Sequence, residues 1–143
     1  MSNNEVISIL NNLIETCKQG QVGFRHAADS IQNSEFRRLF NIFSQQRSQF
    51  VTELQAEVHR LGGNLNAPEP PNNTVPFKNS KTAGFSDEPP VIADCQREEE
   101  AAVIEYQKAL EADLPLDVQY VVKRQYMDIK DAYDRIRILQ RAA

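Results

Sequence analysis

The sequence predicts an all-α four-helix bundle with one long crossover, and three observations carry that prediction. Strong helix breakers are concentrated: six of the seven prolines lie between Pro68 and Pro90, which leaves 24–61, 91–114 and 116–143 free of glycine and of every proline. Apolar residues recur in alternating steps of four and three through four segments. No stretch alternates with period two, so no sheet is expected.

The first helix is expected over 3–32. Its stripe is Val6, Leu10, Leu13, Cys17, Gly20, Phe24, Ala27 and Ile31. Ser2 and Glu5 stand at capping-box spacing, where a hydroxyl and a carboxylate satisfy each other's backbone N–H groups. The second helix, 34–61, repeats the rhythm with Phe36, Phe40, Phe43, Arg47, Phe50, Leu54, Glu57 and Leu61. Asn33 or Ser34 opens it and Gly62-Gly63 ends it. The third, 89–113, carries Ile92, Cys95, Glu99, Ala102, Tyr106, Ala109 and Asp113, with Pro89 or Pro90 in its first turn. The fourth, 115–142, carries Val118, Val122, Gln125, Ile129, Ala132, Ile136 and Leu139, with Pro115 in its first turn. Flanking apolar residues such as Ile9, Leu39 and Val121 widen each stripe, as a globular bundle requires. A shared repeat of ~3.5 residues implies left-handed packing at about 20°.

The connections set the topology. The first and third are a few residues long and join antiparallel neighbours. The second, 62–88, is 27 residues rich in proline and too long for a hairpin turn. A helix of ~28 residues is ~42 Å long, and an extended linker of this length reaches ~85 Å. It can therefore cross the bundle and set the third helix parallel to the second, the ferritin-like arrangement. Val75, Phe77 and Phe85 favour a linker that packs on the bundle. The whole chain, 1–143, then forms one domain.

Composition narrows the function. Hydrophobic residues are 41% and charged residues 25% of 143, with a net charge of −4, the balance of a globular protein without the basic excess of nucleic-acid binders. No apolar run approaches the ~18 residues of a membrane span, and the first residues carry no leader pattern, so a cytoplasmic location is expected. Two cysteines are too few for a disulfide framework or a zinc cluster. Both fall on core stripes, where a thiol behaves as a small hydrophobe.

Three stretches resemble a known family. They are Asn11-Asn12-Leu13-Ile14-Glu15-Thr16-Cys17-Lys18-Gln19-Gly20 followed by Gly23-Phe24-Arg25; Gln49-Phe50-Val51-Thr52-Glu53-Leu54-Gln55-Ala56-Glu57-Val58 with Leu61-Gly62-Gly63; and Leu110-Glu111-Ala112-Asp113-Leu114-Pro115. They are similar to a bacterial ferritin-like four-helix-bundle family of unknown function. The resemblance spans all four helices but not the proline-rich linker. It implies the fold and no activity. Two positions depart from the family pattern: Tyr133 stands where His is expected, and Glu98 where Gly is expected.

A ferritin-like di-metal centre draws a Glu from each of two helices and Glu-x-x-His from each of the other two. The three-residue spacing stacks both ligands on one helical face. Three residues before His59 stands Ala56, and three before His26 stands Gly23, so the signature is incomplete. A reduced carboxylate site for iron or manganese has Glu15, Glu53, Glu57, Glu99 and Asp128 to draw on. The structural reading of the same residues is preferred. Arg47 and Glu99 occupy stripe positions at similar depths into helices expected to run parallel, which predicts a buried ion pair that Gln125 can join. The tyrosines are expected to reach the bundle edge with their hydroxyls.

The third helix carries a net −5 and the fourth +2, from which charge complementarity between neighbours is expected, or else a basic docking face on the fourth helix. Gly20 leaves room for a small apolar ligand or for a bulky side chain from the second helix. The functional expectation is a non-catalytic bundle with no cofactor and no catalytic residue, acting through contacts as a homodimer or with another protein. The alternative is an iron or manganese oxidoreductase with a degenerate carboxylate site.

Overall fold

The computed structural model describes residues 1–63 and 88–142 and consists of four helices: α1 (Asn3–Ser30), α2 (Ser34–Arg60), α3 (Glu88–Glu111) and α4 (Leu116–Ala142). The expected packing of the linker through Val75, Phe77 and Phe85 lies outside the described residues.

Local chemistry fixes the ends. Ser2 Oγ accepts from Glu5 N at 3.2 Å while Glu5 Oε1 accepts from Ser2 N at 2.8 Å, completing the capping box. The bond from Ser2 N, with a second from Ser2 Oγ to the same oxygen, favours the ionised form and holds the Glu5 carboxyl below its ordinary pKa. Asn33, not Ser34, caps α2, its Oδ1 accepting from Glu35 N and Phe36 N at 2.9 and 3.1 Å. α2 closes in a Schellman turn: Gly63 N reaches Val58 O at 2.8 Å and Gly62 N reaches His59 O at 3.0 Å. Gly62 sits at φ +89°, the left-handed backbone that this turn requires.

Four boundaries fall inside those read from the sequence; one is the end of α2, at Arg60 rather than 61. α1 stops at Ser30 rather than 32 because Ile31 is extended (φ −104°, ψ 138°) and buries its side chain completely. α3 stops at Glu111 rather than 113, leaving Asp113 exposed: Ala112 N bonds to Ala109 O at 3.1 Å, only three residues back, and Leu114 N to Ala112 O at 3.0 Å, so the four-residue ladder has already ended. Pro115 lies just outside α4 instead of in its first turn, and its carbonyl accepts from Gln119 N at 2.8 Å.

The side chains that meet define the topology. Ser44 Oγ donates to Gln21 O and Arg37 Nε to Ala28 O, so α1 and α2 are antiparallel. Asn12 meets Glu105 across α1 and α3, and Arg60 meets Asp117 across α2 and α4. α2 and α3 are diagonal partners whose backbones do not approach each other. Both run opposite to α1, so they are parallel. The C-terminus of α2 lies beside the start of α4, whereas Ile92 and Cys95 near the start of α3 pack with Phe40 and Phe43 near the start of α2. The end of α2 and the start of α3 are therefore at opposite ends, the arrangement with one long crossover.

The core has two apolar halves. One gathers residues from Val6 to Cys17, Phe50 to Val58, Ala102 to Leu114 and Val118 to Ile129. The other holds Phe24, Ile31, Phe40, Phe43, Ile92 and Ile136 with their neighbours, with the Phe24 and Phe43 rings 5.3 Å apart. The stripes read from the sequence supply nearly all of this; Phe36, Glu57, Leu61 and Leu139, at their ends, are only half-buried. Among the described residues no helix is long and apolar enough to cross a membrane.

Candidate polar site in the bundle core

Between the apolar halves lies a layer of polar side chains. Arg47 (1% exposed) extends from α2 across the centre to Glu99 (2% exposed) on the diagonal helix α3. Nη1 donates to Oε1 at 2.7 Å and Nη2 donates to Oε2, a two-pronged contact that suits the planar guanidinium. The neighbouring carboxylate raises the Arg47 pKa despite the opposing effect of burial. Two features of the sequence make room for this cation. Gly20 faces it: a Cβ there would stand 3.3 Å from Nη1 and 3.5 Å from Cγ. Phe24, one turn on, presents its ring to the guanidinium with Cζ 5.2 Å from the centroid. The space that Gly20 leaves is thus taken by Arg47, neither by a phenylalanine nor by a ligand cavity. Nε of Arg47 is buried without a hydrogen-bond partner.

A file of hydrogen bonds through all four helices adjoins the pair. Tyr106 Oη, on α3, donates to Gln125 Oε1, on α4, at 2.6 Å. Having spent its proton there, Tyr106 accepts from the Cys17 thiol of α1, 3.1 Å away. Gln125 Nε2 donates to Glu53 Oε1, on α2, at 2.8 Å, and lies 3.4 Å from Phe50 O. Arg124 Nη2 closes the file at the bundle edge, 2.9 Å from the same Glu53 oxygen. Gln125 thus meets Tyr106 and Glu53 rather than bonding to the ion pair. Tyr106, expected with its hydroxyl at the bundle edge, is fully buried because this hydroxyl has two core partners. The sequence reading missed Tyr106 and Arg124; a tyrosine and a glutamine on the facing stripes of antiparallel helices were the available signal.

Burial governs the titration of these groups. It raises the Cys17 thiol to about 11, against the pull of the Tyr106 bond, and lifts Tyr106 well above 10. Cys95 is raised by burial and then by Glu98, Glu99 and Asp94. Neither sulfur has the depressed pKa of a nucleophile.

The carboxylates considered as metal ligands do not converge. Glu15 and Asp128 are exposed on the outer faces of α1 and α4, Glu57 is paired with Arg60, Glu53 with Arg124 and Gln125, and Glu99 with Arg47. Among the described residues no three His, Cys, Asp or Glu side chains are grouped to hold a metal ion. The donor set does not fit a di-metal centre.

Glu98, at a departure from the family pattern, rests its carboxylate against Gly23, where a Cβ would collide with Oε1. Desolvation, then Asp94 and Glu99, raise its pKa. Complementarity between α3 and α4 takes a different form from that expected. Among the described residues no ion pair joins these two helices; Lys130 and Arg135 pair with aspartates of their own helix, at 3.5 and 3.2 Å, and Arg124 with Glu53 of α2.

Comparison with known proteins agrees with the fold. Residues 5–69, which take in α2 and all of α1 except its first two residues, match the family model described as Domain of unknown function (DUF2383). No curated protein matches the chain. A crystal structure described as a two-domain protein containing DJ-1/ThiJ/PfpI-like and ferritin-like domains, from Anabaena variabilis, matches with a TM-score of 0.83 at 12% identity. The match covers 99% of this chain and 37% of that one. The chain is similar to a ferritin-like family of unknown function, and its fold is ferritin-like.

Three outcomes follow from this geometry. Arg47→Ala or Glu99→Ala leaves a buried charge unpaired and lowers unfolding stability by about 3–5 kcal/mol. Arg47→Met combined with Glu99→Leu recovers most of that loss, a non-additivity read from denaturant unfolding of all the variants. Cys17 and Cys95 stay unreactive toward an aromatic disulfide reagent at pH 7.5 in the native protein, and both titrate in denaturant; rapid native labelling of either contradicts the burial described. Glu98 has a folded pKa above its ordinary 4.5, so the stability linked to its protonated form is present below that value and lost as pH rises through the folded pKa. Glu98→Gln therefore raises the unfolding midpoint at pH 7 and leaves it unchanged near pH 4.

Proposed function

We propose that this ferritin-like bundle is a non-catalytic protein that acts through contacts with other proteins, its core holding a guanidinium rather than a metal. The observation that carries the reading is the Arg47–Glu99 pair across the bundle centre. Metal sites in bundles of this architecture gather several carboxylates and imidazoles on facing helices. Among the described residues the one fully buried carboxylate, Glu99, is already neutralised by a fixed cation. A metal ion at Glu99 would have to displace Arg47 and leave its charge buried without a partner, a loss of several kcal/mol. The other carboxylate described in the polar layer, Glu53, is engaged by Gln125 and Arg124.

The alternative, an iron or manganese oxidoreductase with a degenerate carboxylate site, draws only on the fold, and a fold does not carry chemistry without a site.

Metal analysis separates the two. The protein is purified aerobically, then loaded anaerobically with Fe(II) or Mn(II), desalted and assayed for bound metal. The expected result is no stoichiometric metal in either preparation. About two ions per chain, lost in Glu99→Ala or Glu53→Ala, would overturn the reading and establish the carboxylate site.

A further inference from the structure

We infer that the depression between the first half of α3 and the C-terminal end of α4 is an anion site that takes a phosphate dianion, free or as a small monoester. The site lies on the outer face of the bundle and is independent of the reading of its core.

The register that forms the site is set elsewhere on the same seam. Gln107 Nε2 of α3 donates to Tyr126 Oη of α4 at 3.2 Å, which levels the two antiparallel helices at that point. Eleven residues make about three turns and return to nearly the same face. Eleven before Gln107 stands Gln96, and eleven after Tyr126 stands Arg137. Both line a depression of about 250 Å³, together with Gln140 and Arg141. The four side chains end in two guanidiniums and two carboxamides, and no carboxylate lines the space. All four carry N–H donors, and the guanidiniums have no acceptor at all.

Charge along α4 is unevenly spent. Of its six lysines and arginines, Arg124, Lys130 and Arg135 are paired with Glu53, Asp134 and Asp131. Arg137 and Arg141 form no ion pair among the described residues, yet they share one depression. Asp94 of α3 is taken by Arg97, and Glu100, one turn along from Gln96, pairs with neither arginine. Arg137 lies instead over the ring of Tyr133, one turn back on its own helix, with Cζ 5.6 Å from the centroid. A ring face holds a guanidinium in place without neutralising it. The dipole of α4 accounts for a cation in its last turn, where Arg141 stands. It does not account for a second arginine braced one turn earlier with its charge unspent, nor for an amide brought level from α3.

The donors select the ligand. Two guanidinium forks suit a tetrahedral oxyanion, whose oxygens each accept more than one hydrogen bond, and their two charges match a dianion. A carboxylate would bring two oxygens and a single charge, leaving donors and one cation unused. The volume is below the ~300 Å³ at which ordinary small-molecule pockets begin, so the site fits a phosphoryl group rather than the body that carries it.

Calorimetric titration of the full chain tests this, in dilute chloride buffer near pH 7.5, where a phosphate monoester carries close to two charges. The probes are inorganic phosphate, methyl phosphate and acetate. Saturable binding of a phosphate probe is expected, with acetate at least tenfold weaker. Whichever of inorganic phosphate and methyl phosphate binds more tightly identifies the ligand as free phosphate or as a monoester. Arg137→Ala and Arg141→Ala each weaken binding about tenfold, the loss of one charge-assisted contact. Tyr133→Leu weakens it several-fold by freeing Arg137. Arg135→Ala, which removes a cation of the same helix outside the depression, leaves the affinity unchanged. Circular dichroism checks that each variant remains folded. The inference is overturned if no phosphate probe binds saturably at millimolar concentrations, or if acetate binds as tightly as phosphate. It is also overturned if Arg135→Ala weakens binding as much as Arg137→Ala, since attraction to a basic helix in general would then suffice.

Discussion

The interaction on which the rest of this bundle depends is the two-pronged contact between Arg47 and Glu99. It joins helices whose backbones never touch, so it fixes the axial level of α2 against α3 across the whole width of the core. Only one relative position lets a guanidinium reach a carboxylate with both prongs, and a slip of one turn would strand two charges in hydrocarbon. An apolar contact at the same place would tolerate that slip, since one leucine packs much like another. The pair thus contributes register more than stability. Gly20 and Phe24 follow from it: the first leaves the volume that the arginine stem fills, and the second gives the cation a ring face to lie on.

The file from Cys17 to Arg124 shows the same logic from the other side. Gln125 is completely buried, and a buried amide needs partners for its oxygen and for its nitrogen. Tyr106 satisfies the oxygen, while Glu53 and the Phe50 carbonyl satisfy the nitrogen. Each partner comes from a different helix, so one side chain ties α3, α4 and α2 together, and the thiol of Cys17 adds α1. The apolar halves on either side are then held at fixed heights. They carry the hydrophobic stabilisation, while the polar layer between them gives specificity.

Most of the fold was legible because its signals are local or periodic. The 3–4 rhythm of Leu10, Leu13 and Cys17 or of Val118, Val122 and Gln125 encodes which side of each helix is buried, and it did so almost residue for residue. The parallel relation of α2 and α3 followed from linker length alone, and it placed Arg47 opposite Glu99. What escaped was decided between helices rather than along one. Tyr106 reads as an edge tyrosine until the facing residue on α4 is known to be a glutamine. The acidic balance of α3 and the basic balance of α4 suggest partners, yet Lys130 and Arg135 pair with aspartates of their own helix at four-residue spacing. Net charge per helix does not record which azimuth each charge occupies. The early end of α3 was decided in its last turn, where Ala112 N bonds to Ala109 O and Leu114 N to Ala112 O, a change that the apolar rhythm does not record.

A carboxylate at the centre of a helical bundle creates a demand for positive charge that the fold can answer in two ways. A metal ion answers it compactly but requires several converging ligands, each with its own orienting partners. A guanidinium answers it with a single residue, at the cost of volume and of a donor left over, here Nε of Arg47. The two answers exclude each other within one layer, because the ligands that a metal needs would have to occupy the positions from which Cys17, Tyr106 and Gln125 now point inward. Removing Arg47 alone would not create such a site: a thiol and a phenol held protonated by burial, beside a neutral amide, are poor ligands for iron or manganese. Conversion would require changes on at least three helices together. The core is thus committed as a whole to the arginine solution.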